Sequence, residues 1–155
     1  MAVDIKHSGY KAAAATVSFT GTQTLASLAD GEFTNLSDAI DNSTNLYHFA
    51  DFEFVCTSVV FTGTDSHIQL FLIPSVDGTN YGQWTGNVTT NEQQNQPYYV
   101  GSFVTTGDTA AQRMTLRKVE LPPGLWKCAV RNQGNVALAA SGSTLKWRPW
   151  QLQAA

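Results

Sequence analysis

The sequence predicts an all-β protein that folds as a two-sheet antiparallel sandwich, and three observations support this prediction. Apolar residues recur at every second position in short runs rich in Val, Phe, Tyr, Thr and Ile. Gly, Pro, Asn or Asp residues bound these runs, as is typical of strands that end in turns. Only 14% of the 155 residues are charged, whereas about a quarter is usual, so we expect a polar surface with few charges.

Nine runs are predicted to be strands, and their short, regular spacing indicates two stacked sheets rather than a mixed fold. Helical periodicity is nearly absent from the sequence, which excludes a bundle. The predicted strands span residues 15–20, 22–27, 46–61, 67–74, 97–105, 112–120, 124–131, 135–139 and 143–151.

Two of these runs indicate which side chains face the core. In residues 46–61 the alternation directs one set inward, namely His48, Ala50, Phe52, Phe54 and Cys56. Asp51 and Glu53 then lie together on the outer face. In residues 124–131 the inward set is Trp126, Cys128 and Val130. We expect Trp126 to anchor the core; a ligand platform is the alternative.

A Pro-Pro-Gly corner separates two of the predicted strands. Pro122 and Pro123 have no N–H for a strand ladder and hold φ near about −65°, whereas Gly124 tolerates positive φ. The chain is therefore expected to end one strand at Leu121 and to begin the next at a fixed angle.

The length fits one domain. Residues 1–14 have little to pack and are predicted to form an N-terminal arm, and residues 15–155 form the sandwich. Residues 76–96 form a long polar loop, the kind of segment in which function tends to lie. The N-terminus lacks the apolar segment of a signal peptide and no run is long enough to cross a membrane, so we expect synthesis in a cytosol and no membrane partner.

The charges are distributed unevenly along the chain. Residues 1–108 contain two basic and eleven acidic residues, whereas residues 109–155 contain seven basic and one acidic residue. Either acidic and basic strands are neighbours in one sheet, or separate acidic and basic surfaces pair between copies. The basic residues are too few and too scattered for a nucleic-acid partner.

No catalytic signature is present in the sequence, and we predict no catalytic residue, no metal and no cofactor. The three histidines are scattered, and Cys56 and Cys128 are expected to be buried free thiols. Asp51 and Glu53 leave glycoside hydrolysis as an alternative, and residues 77–80 leave calcium binding as another. The three Asn-x-Ser/Thr triplets, at Asn35, Asn42 and Asn87, have no meaning as glycan acceptors without secretion.

Two groups of aromatic residues are candidates for contacts. The first lies in and just after the polar loop and is suited either to stacking on a sugar or to fixing its own loop: Tyr81, Trp84, Tyr98 and Tyr99. The second is the pair Trp147 and Trp150, which belongs either to the last strand or to an arm buried against a neighbouring subunit.

The order of elements resembles that of small virion proteins of tailed bacteriophages, of the capsid decoration (cement) or head- and tail-fibre type. The resemblance covers most of residues 16–151. It rests on TLASLADGEFTNLSDAIDNSTN, the long strand, HIQLFLIPSVDGTNYG, LPPGLWKCAVRNQGN and the closing STLKWRPW. It implies a jelly-roll-like sandwich, commonly a homotrimer, without catalysis or cofactor. It also implies assembly from the host bacterial cytoplasm and binding to a capsid lattice through an arm or a sheet edge.

We therefore expect a virion structural protein, an outer capsid decoration protein that binds the major capsid protein and stabilises the lattice. The candidate subunit or capsid contacts are Lys6, Lys11, Trp147, Arg148 and Trp150. The alternative is a receptor- or carbohydrate-binding module of a phage fibre that binds a host surface glycan. A small β-sandwich hydrolase is a third class.

Overall fold

The computed structural model describes residues 5–7, 9–57, 59–63, 65–82, 84, 96–108 and 110–154. Within these residues the chain forms β-strands and one short 3₁₀ turn, Gln96–Tyr98. The strands are β1 (Ile5–His7), β2 (Ala15–Thr16), β3 (Ile40–Asp41), β4 (Phe49–Cys56), β5 (His67–Pro74), β6 (Tyr99–Val104), β7 (Gln112–Glu120), β8 (Leu125–Gln133), β9 (Thr144–Trp150) and β10 (Leu152–Ala154).

Eight of these strands form two four-stranded antiparallel sheets that pack as a sandwich. Sheet 1 has the order β2-β9-β4-β7, and sheet 2 has the order β3-β8-β5-β6. Except at the β5–β6 hairpin, the chain changes sheet from each of these strands to the next, which gives a jelly-roll-like strand order. The predicted two-sheet antiparallel sandwich is confirmed. The remaining pair, β1 and β10, forms a separate two-stranded ladder.

The core lies between the sheets and follows the alternation of the sequence. Along β4 every second side chain is buried, beginning at Ala50 and ending at Cys56. The inward side chains of β8 meet them from sheet 2, and the rings of Phe52 and Trp126 lie 6.3 Å apart. Trp126 is fully buried, as predicted. Cys56 and Cys128 are buried free thiols, and burial raises the pKa of both.

The outer face of sheet 2 is also partly covered, which the sequence analysis did not predict. Residues 31–37 run beside β8, where Thr34 and Ser37 donate backbone hydrogen bonds to carbonyls of that strand. Phe33 packs there against Phe71, with their ring centroids 5.5 Å apart. Ala129, which the alternation along β8 places on the outer face, is therefore fully buried.

Four strand predictions need correction. The predicted strands 15–20 and 46–61 are shorter in the structure, where they correspond to Ala15–Thr16 and Phe49–Cys56. Residues 22–27 and 135–139 are not strands; they form loops that insert Leu25 and Leu138 into the core. Because β4 begins at Phe49, His48 precedes the strand and is exposed rather than buried. The two-residue strand β3 was missed because such a short segment shows no periodicity.

The Pro-Pro-Gly corner is held by a buried asparagine. The amide nitrogen of Asn42 donates to the carbonyls of Tyr47, at 2.9 Å, and Pro122, at 3.1 Å. Its amide oxygen accepts from the backbone N–H of Tyr47 at 2.8 Å. Gly124 has a φ of 78°, which favours glycine. β7 therefore ends and β8 begins at a fixed corner.

Candidate interaction surfaces

Asp51 occupies the centre of the outer face of sheet 1. It lies on β4, which pairs with β7 on one side and with β9 on the other. Opposite Asp51, β7 has two residues in place of one, a β-bulge in which Lys118 has a φ of 57°. The N–H of Lys118 donates to Oδ1 of Asp51 at 2.9 Å. The carboxylate thus satisfies the backbone donor that the bulge leaves outside the ladder.

Two other hydrogen-bond donors and one cation surround the same carboxylate. The Tyr10 hydroxyl donates to Oδ2 at 2.7 Å, and Nε1 of Trp150 donates to Oδ1 at 3.1 Å. Nε of Arg117 lies 3.7 Å from Oδ2. Burial opposes ionisation of Asp51, but these hydrogen bonds and the Arg117 charge outweigh it and lower its pKa. In turn the carboxylate raises the pKa of Tyr10.

Residues 9–14, which we call the strap, attach the predicted N-terminal arm to sheet 1. The N–H of Lys11 donates to the carbonyl of Pro149 at 3.0 Å. Arg148 donates from Nε to the carbonyl of Ala12 at 3.1 Å, and its guanidinium lies 4.1 Å from the Tyr10 ring centroid. The strap is therefore held by backbone, cation–π and carboxylate contacts together.

β1 and β10 form a ladder that we call the terminal ribbon. It runs from Ile5 opposite Ala154 to His7 opposite Leu152, nearer the chain ends than the pairing of β2 with β9, and its register is shifted by three residues from that pairing. β4 begins at Phe49, which lies opposite Trp150 at the end of β9. β10 begins at Leu152, so β4 does not extend alongside it. Lys6, a predicted contact residue, belongs to β1.

The outer face of sheet 1 carries five of the nine basic residues of the chain. We call this set the basic face: Arg113, Arg117, Lys118, Lys146 and Arg148. Arg113 pairs with Glu53 through Nη1, at 2.9 and 3.0 Å from the two carboxylate oxygens. Among the described residues, no carboxylate forms an ion pair with Lys118, Lys146 or Arg148. Acidic β4 and its basic neighbours thus neutralise each other only in part.

The two C-terminal tryptophans have different surroundings. Trp147 packs edge-on against Trp126, with ring centroids 5.4 Å apart, and so contributes to the core. Trp150 stacks on Phe49 at 4.8 Å on the outer face. Of the predicted contact residues, Lys11 belongs to the strap and Arg148 donates to it. Trp150 shares the Asp51 carboxylate with Tyr10 of the strap. Tyr10 and the β7 cations were not predicted from the sequence, although alternation along β7 indicates that Arg113 faces outward.

The four loop aromatics are brought together on the opposite side of the sandwich. We call Tyr81, Trp84, Tyr98 and Tyr99 the aromatic cluster. Trp84 is half-buried and packs against Phe33 at 5.3 Å and Phe71 at 5.6 Å between ring centroids. The Trp84 ring therefore lies against the outer face of sheet 2. Residue 83 and residues 85–95 of the polar loop lie outside the described residues.

The other members of the aromatic cluster are more accessible. Tyr99 is 40% exposed, and its hydroxyl is 2.8 Å from that of Ser102. Lys127 lies with Nζ 4.6 Å from the Tyr81 ring centroid. The Tyr98 hydroxyl lies so close to Gly82 that a Cβ there would collide with it. These contacts hold three rings at defined positions, with Tyr99 the most open.

An open pocket of about 250 Å³ lies beside the strap, and its lining includes Tyr10, Asp51, Glu53 and Lys146. Both carboxylates accept hydrogen bonds, Asp51 from the Lys118 backbone and Glu53 from Arg113, which suits a structural role. In the part of the chain that the structure describes, no three His, Cys, Asp or Glu side chains group as metal ligands.

Asp77 caps its own turn by accepting hydrogen bonds from the backbone N–H groups of Asn80 and Thr79. These bonds lower its pKa.

The glycosylation triplets have unlike surroundings. Asn42 is buried, Asn35 is half-buried and Asn87 lies outside the described residues.

No described helix is long and apolar enough to cross a membrane.

Comparison with known proteins finds no matching family model, curated protein or solved structure.

Proposed function

We propose that this chain is a bacteriophage virion structural protein, an outer capsid decoration protein that binds the assembled lattice of the major capsid protein. The observation that supports the proposal is the basic face, on a chain whose net charge is −3. Three of its cations, Lys118, Lys146 and Arg148, have no carboxylate partner among the described residues. A rigid sheet that presents such cations is suited to an acidic protein surface.

The strap extends this surface. It adds the exposed Lys11 beside Arg148 and is itself anchored through Tyr10. The jelly-roll-like sandwich provides the scaffold, and this architecture is used by viral capsid proteins and by lectins. In this role the protein stabilises particles by mass action, because it binds the assembled lattice and not the dissociated subunits.

Addition of purified protein to undecorated particles tests the proposal. Co-sedimentation should show saturable binding that weakens as salt is raised, because the contact is electrostatic. Lys118→Glu changes an exposed cation without an ion pair and should weaken binding several-fold. The matched control is Lys127→Glu, which reverses a cation on sheet 2 and should bind as the wild type does.

A capsid contact through the basic face would be contradicted if neither variant binds more weakly than the wild type. It would also be contradicted if both variants weaken binding equally. Removal of residues 1–14 deletes the strap and should weaken binding while the sandwich remains folded. Circular dichroism and thermal unfolding check folding in each variant.

The alternative function is binding of a host surface glycan by a fibre module. The exposed ring of Tyr99, beside the Ser102 hydroxyl, favours it, because sugars stack on aromatic faces and accept hydrogen bonds at their edges. Tyr99→Ala should abolish binding to host cells under this function, whereas removal of residues 1–14 should leave it unchanged.

A further inference from the structure

Asp51 and Arg148 face each other across sheet 1 without forming an ion pair. They are directly opposite in the register of β4 and β9. Side chains in such positions have Cβ atoms about 5 Å apart, and opposite charges there attract each other. Among the described residues, however, the Asp51 carboxylate lies within ion-pair distance of Arg117 and not of Arg148. The two opposed charges are therefore kept apart.

The strap separates these two side chains, because it binds each of them. The Tyr10 hydroxyl occupies Oδ2 of Asp51. On the other side, Cζ of Arg148 lies 4.1 Å from the centroid of the Tyr10 ring. Nε of Arg148 donates to the carbonyl of Ala12 at 3.1 Å. Each partner of the missing ion pair thus contacts a strap residue in place of the other partner.

The strap itself is held by few contacts. All of its residues are exposed, and residues 12–14 are alanines, whose short side chains bury little area. The hydrogen bonds from Tyr10 and from Arg148 are both exposed to water, so each adds little net stability. The entropy lost in ordering the backbone opposes them. Release of the strap is therefore expected to cost little free energy.

A new contact also compensates for release of the strap. Once Tyr10 leaves Oδ2 of Asp51, the guanidinium of Arg148 is free to bind that oxygen. Oδ1 keeps its hydrogen bonds to the β7 backbone and to the Trp150 indole. An exposed ion pair contributes little stability, but here it replaces an exposed hydrogen bond of similar strength. The two states of the strap therefore differ by an exchange of partners at one carboxylate oxygen.

We propose that the strap is a switch that sets the charge of the basic face. In the closed state, which the structure shows, the strap holds Arg148, and this cation has no carboxylate partner among the described residues. In the open state Arg148 pairs with Asp51, and the basic face loses an unpaired cation. The regulatory role rests on the proposed function, because the closed strap keeps the basic face in the form that binds an acidic surface. The exchange of partners is a property of the isolated chain.

Titration of the Asp51 carboxyl by carbon NMR tests the exchange in the full chain without particles. In the wild type, Arg148→Gln should leave the pKa of Asp51 nearly unchanged, because the strap holds Arg148 away from the carboxylate. Tyr10→Ala removes both the hydroxyl and the ring and so opens the strap. In that background Arg148→Gln should raise the pKa of Asp51 by roughly one pH unit, because it removes an opposite charge.

Arg117→Gln is the matched control for this titration. Arg117 lies near Oδ2 of Asp51 with the strap in place. Its loss should therefore raise the pKa of Asp51 equally in the wild type and in Tyr10→Ala. If the effect of Arg148→Gln is also the same in both backgrounds, the exchange of partners is refuted.

Binding to undecorated particles tests the regulatory role. Tyr10→Ala should weaken binding several-fold, but it should have little further effect in Asp51→Asn, where no carboxylate is left to neutralise Arg148. Equal weakening in both backgrounds would overturn the switch, because a purely structural strap would act in this way. If the wild type does not bind particles at all, the proposed function fails, whereas the exchange is decided by the titration.

Discussion

The hydroxyl of Tyr10 donates a 2.7 Å hydrogen bond to Asp51, 41 positions away in the chain. The same carboxylate accepts from the backbone of Lys118 and from the indole of Trp150. One side chain therefore connects the strap, the β7 bulge and the last strand of sheet 1.

Tyr10→Phe removes only the hydroxyl at this junction. Because the bond is exposed to water, we expect a loss of less than about 1 kcal/mol in the free energy of unfolding. The local effect should be larger. Hydrogen exchange at the Lys11 amide, which bonds to the carbonyl of Pro149, should become faster.

Tyr99→Phe is the control, because its hydroxyl contacts Ser102 on sheet 2 and should not affect the strap. If exchange at Lys11 is the same in Tyr10→Phe as in the wild type, the strap is held without the Asp51 contact.

Asp51 should make folding sensitive to acid. Its pKa is lower in the folded state than the ordinary value of about 3.9. The stabilisation is therefore complete above that ordinary value and is lost as the pH falls through the folded-state pKa. Urea unfolding of the wild type and of Asp51→Asn should differ by about 1–3 kcal/mol near neutral pH.

The difference between these two proteins should shrink below about pH 4. Glu53→Gln is the control on the same strand; its loss should be smaller, since the exposed Arg113 partner makes this a surface ion pair. A difference between wild type and Asp51→Asn that is constant down to the acid transition would contradict the assigned role.

The tryptophans should differ in their contribution to stability. Trp126→Ala empties a fully buried site and should cost about 3–5 kcal/mol. Trp84→Ala should cost about 1–2 kcal/mol, because the ring is half-buried against Phe33 and Phe71. This is more than an exposed loop residue would cost. Urea titrations in which Trp84→Ala costs more than Trp126→Ala would contradict these roles.

Asn42→Ala removes the side chain that holds the Pro-Pro-Gly corner. The partly buried backbone groups of Tyr47 and Pro122 lose their amide partner, so we expect a loss of about 1–3 kcal/mol. Asn45→Ala, at an exposed position in the same segment, should cost less than about 0.5 kcal/mol. Equal losses in thermal unfolding would indicate that the corner does not depend on Asn42.

The sequence predicted the long strands well because alternation and turn residues determine them. The predicted bounds of β5 and β7 agree with the structure. The inward side chains of β4 and β8 were also predicted, apart from His48. Residues 22–27 and 135–139 alternate as strands do. In the structure they are loops that insert Leu25 and Leu138 into the core. Alternation alone does not distinguish such a loop from a strand, because the difference depends on the tertiary fold.

The candidate surfaces were less predictable because they depend on register. The sequence indicated the aromatic cluster from local spacing. It could not place Tyr10 on Asp51, or Arg113 on Glu53 across 60 positions, since strand order and a bulge set these contacts. The partial charge compensation on sheet 1 has the same origin.

Cryo-electron microscopy of particles incubated with the full chain tests the central claim most directly. We predict density for the sandwich on the outer surface of the capsid, with the basic face and the strap directed at the major capsid protein. Density that places the aromatic cluster against the lattice, or that places the chain on a fibre and leaves the capsid surface bare, would contradict the account.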